Sequence, residues 1–141
     1  MKQNAKERRR KQYLAHAVER CHKFLGEDSE RIIGKANKEF PEQMRAKYEE
    51  FSYDACVVGK MKRVLSKYHI FATSYLYDDC VSVCQIAYMY SIGQCVLHNH
   101  VHIKSYINKM LPIFIKCQMR ISISVKEKER VYDDSRRQRW E

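Results

Sequence analysis

Between positions 94 and 102 the chain gathers side chains suited to reading the edge of a nucleobase: Gln94, His98, Asn99 and His102. Asn pairs bidentately with adenine, and Gln and His hydrogen-bond to base edges. One bidentate contact discriminates between bases by ~1–3 kcal/mol. Steps of three and four place these residues, with Cys95, on one face of a helix over 94–104. Lys104 and Lys109 follow where phosphates would run, and Lys6, Arg8, Arg9, Arg10 and Lys11 form a second group of phosphate-binding cations. A competing constellation is Cys80, Cys84, Cys95 and His98, whose donor types suit zinc. No C-x2-C pair accompanies them, and buried cysteines also serve as small hydrophobes. His98, His100 and His102 would align for a metal only in a strand, whereas their neighbours favour helix. The expectation is therefore no metal or other cofactor, with zinc as the alternative. No Gly-rich phosphate loop, carboxylate pair in an apolar setting or nucleophile elbow is present, so no catalytic residues are assigned.

The charge balance agrees with a polyanionic partner. The 141 residues carry a net charge of +10, with eight basic and two acidic side chains (+6) in residues 1–25 alone. From Cys80 to Lys126 there is no Asp or Glu across 47 residues, leaving Lys104, Lys109, Lys116 and Arg120 uncancelled. Such a stretch can lie beside a polyanion without like-charge repulsion, although a buried core segment needs no charge either. The 24 residues from Cys80 to Ile103 lack Lys, Arg, Asp and Glu but include Gln85, Gln94, Asn99 and three histidines. Those groups are costly in hydrocarbon, so no membrane span is expected. The basic, polar N-terminus with no apolar run behind it predicts no signal peptide, and the six cysteines read as reduced thiols in the cytoplasm.

Four Gly and two Pro are too few for an all-β fold, which needs a turn every ten residues or so. The chain reads as mainly α: a single helical domain with a helix-turn-helix and charged, flexible termini. Asn4-x-x-Glu7 resembles a capping box, and Leu14, Ala17, Val18, Cys21, Phe24 and Leu25 recur at helical spacing until Gly26 stops the run. This gives a basic amphipathic helix at 1–26, followed by a charged connecting region at 27–53 in which Pro41 suits a helix start. A helical core follows at 54–111. It opens with an apolar face of Val57, Val58, Met61, Val64, Leu65 and Tyr68, then a short helix at 70–77. Pro112 closes the last run, and a charged C-terminal segment occupies 112–141. There Arg120–Val125 alternates like a strand while Ile113–Lys116 would open a helix, so either is open; Arg136, Arg137, Arg139 and Trp140 would clamp or stack at the end.

Within the core, Ile86 and Ala87 face inward, Tyr90 completes that face, Ser91 takes a turn and Ile92 plugs the gap. Gln94 then starts a second helix that Leu97 and Val101 anchor. This order is what a helix-turn-helix needs to hold a recognition helix outside its domain. Ser82-Val-Cys-Gln-Ile-Ala87 resembles the corresponding helix in region 4 of bacterial sigma factors, although Ser91 stands where such turns usually carry Gly. More faintly, residues 54–111, with Asp54-Ala-Cys-Val-Val-Gly-Lys-Met-Lys-Arg-Val-Leu65 upstream, resemble the Q-type late-gene antitermination proteins of lambdoid phages. The resemblance implies a transcription regulator that binds double-stranded DNA, contacts RNA polymerase and acts in antitermination in a bacterial host cytoplasm. Two alternatives accompany it. One is a small basic interaction or inhibitor protein that binds an acidic partner. The other is a helical RNase of the HEPN kind, for which Arg63 and His69 have the spacing of a phosphorane-stabilising Arg and an acid/base His.

Overall fold

The most apolar stretch of the chain becomes the axis of the fold. In the computed structural model, which describes residues 4–140 and the side chains of 4–130, Tyr77–Leu97 is one unbroken helix. Among the described residues it is the fifth of six α-helices, after α1 (Ala5–Lys23), α2 (Ser29–Glu39), α3 (Pro41–Ser52) and α4 (Ala55–Lys67), and before α6 (Ile103–Trp140). No strand occurs among the described residues, so the mainly helical, single-domain expectation holds. α5 packs on α2, α3 and α6, and this enclosure buries residues all round it, from Cys80 and Val83 to Ile92 and Cys95. By length and composition α5 would also cross a membrane, but more than half of its apolar window is buried within the protein. That is the pattern of a central core helix.

Three helix starts obey their sequence signals. Asn4 Oδ1 accepts from Lys6 N at 3.1 Å, and Asp54 Oδ1 accepts from Cys56 N and Val57 N at 2.9 and 3.2 Å. Each bond satisfies a backbone N–H that has no partner in the first turn. Pro41 stands at the first position of α3, where its missing N–H costs nothing.

Several expected breaks do not occur where the residue types suggested. Gly26 does not stop α1. Instead Phe24–Asp28 forms a π-helical turn that carries the chain into α2 with helical backbone angles, and Ser29 Oγ donates to Phe24 O at 2.6 Å. The region 27–53 is thus two helices that add Ala36 and Met44 to the core. Residues 70–76 form turns rather than a short helix. Pro112 lies inside α6, and the strand alternative for 120–125 gives way to helix. An internal Pro costs ~3 kcal/mol. Leu111, Phe114 and Ile115 around it are fully buried (0% exposed), and burying three such side chains returns ~1.5–3 kcal/mol each. The helix therefore continues.

α6 is 38 residues long, or roughly 57 Å, against 21 residues for α5. It runs antiparallel to α5, with Ser122 Oγ donating to Asp79 Oδ2 at 3.3 Å near the start of α5. α1 lies antiparallel along α6. It is pinned where Phe24 meets Phe114 and Tyr90, with ring centroids 4.9 and 5.6 Å away, and where Cys21 meets Cys117. The outer halves of α1 and α6 accompany each other past the start of α5.

Candidate nucleic-acid interface and the α1–α6 cleft

The bend expected at Ser91 is absent. Ser91 is fully buried in the interior of α5, with its hydroxyl unpartnered, and Gly93 follows where α2 crosses closely. A Cβ on Gly93 would lie 3.3 Å from Ala36 Cβ and 3.5 Å from Ile32 Cγ2. Ser and Gly each cost a helix up to ~1 kcal/mol. Burial of Tyr90, Ile92 and Cys95 on a helix enclosed by three others outweighs that, so small residues that read as a turn act as a close-packing seam.

The chain turns seven residues later, at His98–His102. His100 N donates to Cys95 O at 2.8 Å and Asn99 N to Val96 O at 3.5 Å, with Asn99 left-handed at φ 54°. This paired 6→1 and 5→2 bonding is the Schellman stop, which needs a residue able to take positive φ, and Asn is the usual choice after Gly. α4 ends in the same way: Ile70 N reaches Leu65 O at 2.8 Å, His69 N reaches Ser66 O at 3.0 Å, and His69 has φ 56°. The residue that would serve as an RNase acid/base is a helix stop.

These turns redistribute the expected base-reading residues. No recognition helix spans 94–104. Gln94 belongs to α5 and is half-buried, its Nε2 donating to Tyr90 Oη at 3.0 Å while its Oε1 is enclosed without a partner. His98, Asn99 and His102 are exposed, on a turn rather than a helix face. Val101, expected as a core anchor, is 82% exposed because it sits in that turn. His100, His102, Ser105, Tyr106 and Lys109 line a cleft of about 220 Å³ beside the start of α6, where the unpaired N–H groups of a helix favour anions.

The expected cations divide into two groups. Lys104 is not free: its Nζ lies 2.9 Å from Asp54 Oδ2. The hydrogen bond from Lys104 and, secondarily, the backbone N–H groups of Val57 and Cys56 hold the Asp54 carboxyl below its ordinary pKa, while Asp54 raises that of Lys104. Lys109 is exposed near the turn. Lys6, Arg8, Arg9, Arg10 and Lys11 are all exposed on α1, and none makes an ion pair with a described carboxylate. Lys11 shares a cleft with Glu127, placing it about 27 Å along α6 from Lys109. The two groups therefore lie far apart, one at the start of α6 and the other beside its outer half. Arg136, Arg137, Arg139 and Trp140 lie outside the residues whose side chains are described.

The four donors of the alternative zinc site do not converge. Cys80, Cys84 and Cys95 stand on one straight helix, with Cys84 and Cys95 about 16 Å apart along its axis, too far to share an ion. Burial pushes the Cys80 thiol up to about 11 and the Cys84 thiol up to about 12, and Cys84 Sγ donates to Cys80 O at 3.1 Å. Both are protonated, packed thiols. No group of three or more His, Cys, Asp or Glu side chains among the described residues is placed to hold a metal.

A further feature was not anticipated from the sequence. Leu14, Val18 and Ile123 line a cleft of about 380 Å³ between α1 and α6, with Lys11 and Arg120 among its walls. Its walls lie more than a hundred residues apart in the chain, so only their tertiary meeting reveals it. The available signal was an apolar Leu14 close behind the basic run 6–11, and the structure leaves it half-exposed. Compared with known protein families, curated proteins and solved structures, the chain matches none of them.

Proposed function

We propose that this protein binds double-stranded DNA and that α1, rather than a helix over 94–104, supplies most of the affinity. The observation that carries this reading is the exposure of Lys6, Arg8, Arg9, Arg10 and Lys11 within two helical turns, none of them paired with a described carboxylate. Neutralising phosphates releases condensed counterions, and a cluster of this kind is the usual electrostatic footprint of a nucleic-acid surface. Lys109 and the exposed His98, Asn99 and His102 form a second contact at the α5–α6 turn, beside the amide-rich start of α6. A role in transcription control, of the late-gene antitermination type with RNA polymerase as partner in a bacterial cytoplasm, rests on the resemblance of residues 54–111. Its support is residue type, since the bend falls seven residues later than the resemblance implied.

Anisotropy of a labelled random-sequence duplex, titrated over a salt series, tests the reading. The wild-type protein is expected to bind with log K falling steeply against log salt. Replacement of all five α1 cations by Gln flattens that slope by up to about 4.5, from roughly 0.9 per neutralised phosphate. Absence of binding at low salt, or a slope indifferent to the five substitutions, overturns the proposal.

A further inference from the structure

We propose that the cleft between α1 and α6 docks an amphipathic helix from an acidic partner protein. The cleft extends from Lys11 to Val18 on α1 and from Arg120 to Glu127 on α6. Each wall therefore covers about two helical turns, or roughly 10 Å, a length over which a third helix can lay down its apolar face. Leu14 and Ile123 remain 52% and 38% exposed there. A helix face with apolar residues at i, i+3, i+4 and i+7 would complete their burial.

Charge selects the occupant. Lys11 and Arg120 stand at the cleft, and the α1 segment carries the +6 of residues 1–25, against one cleft carboxylate, Glu127. A second copy seated here would bring two such segments together and be repelled, whereas a partner bearing Asp and Glu beside its apolar stripe is drawn in and oriented. The site shares Lys11 with the proposed phosphate-binding face of α1 and lies apart from the contacts at the α6 start. Its occupant carries no phosphate, so its test does not depend on DNA binding.

The probe is a labelled synthetic peptide of about 18 residues, long enough to hold helix once bound, with Leu at i, i+3, i+4 and i+7 and Glu on the opposite face. Two companions replace Glu by Lys or Leu by Ser. The 141-residue chain is expected to bind the Leu/Glu peptide and neither companion, as read by anisotropy. Leu14→Ser with Ile123→Ser weakens that binding about tenfold or more, with the thermal melt largely retained because both side chains are half-exposed. Lys11→Glu with Arg120→Glu switches preference to the Lys peptide and provides a check that alters no apolar contact. Equal binding of the Leu-to-Ser peptide, no binding of the Leu/Glu peptide, or indifference to both double variants overturns the proposal. So does a dimer in sedimentation that dissociates on Leu14→Ser with Ile123→Ser, since the occupant would then be a second copy.

Discussion

At the α5–α6 turn and along the outer half of α1 the chain presents cations and hydrogen-bonding side chains, and the tertiary structure uses them in opposite ways. At the α5–α6 turn, Asn99 closes a helix in a left-handed conformation, Gln94 is turned inward onto Tyr90 and Lys104 is held by Asp54. Along the outer half of α1, five cations point into solvent beside an apolar cleft. Side chains suited to recognition are also those that stop helices and satisfy buried backbone. Asn reads adenine well because its short amide donates and accepts, and it tolerates positive φ for the same local hydrogen-bonding reason. Residue type alone does not separate the two uses; position relative to a helix end does.

The sharpest way to break this comparison is to disturb the seam that keeps α5 straight. Gly93→Leu forces a branched side chain against Ala36 and Ile32, and the expected loss is about 3 kcal/mol or more in urea unfolding. A variant as stable as the wild type would mean that α2 does not cross α5 there, and the bend could move back to Ser91. Asn99→Ala should lose about 1 kcal/mol, from the cost of positive φ without the Asn side chain. The corresponding fall in Tm is roughly 2–4 °C for a domain of this size, and Asn99→Gly should recover most of it. If instead DNA sequence preference changes while the melt does not, Asn99 reads bases and the turn end is the recognition surface.

The two groups of cations give a smaller, direct contrast. Arg10→Gln should lower the magnitude of the salt slope of DNA binding by about 1, as loss of one phosphate contact does. Lys104→Gln should leave it nearly unchanged, because Asp54 already occupies that ammonium; the reverse ranking would exchange the roles of the two regions. Smallest is a pH effect. The folded Asp54 carboxyl titrates below its ordinary value of 3.8, so its contribution to stability is present above that value and is lost as pH falls toward the lowered one. Asp54→Asn keeps a competent helix cap and removes the charge. The stability gap between wild type and variant in acid titrations followed by circular dichroism should close over that range. A constant gap would mean that the pair with Lys104 contributes nothing.

Much of the fold was legible because its signals are local. Asn4 and Asp54 cap helices through their own side chains, Pro41 sits where a missing N–H is harmless, and the apolar spacing of Val57, Val64 and Leu65 marks a buried face. The candidate site was less legible. The 6–11 cations were found because a run of charge on an amphipathic helix start stays exposed. The helix over 94–104 was misplaced because Ser91 and Gly93 are compatible with a turn in isolation and with a close helix crossing in context. The left-handed stop at Asn99 had a sequence signal, an Asn just past the last apolar residues of the run, but the same residue type also suited base recognition.

The amino-acid order by itself determined that this chain is helical, strongly basic at its start, and capped where short side chains can reach their own backbone. Those properties depend on interactions within a few residues. Tertiary structure decided where α5 ends, whether Pro112 and Gly26 interrupt a helix, which lysine finds a carboxylate, and that Leu14 meets Ile123. Each of these depends on contacts between distant segments, whose burial energy exceeds the fraction of a kilocalorie to few kilocalories by which local preferences differ.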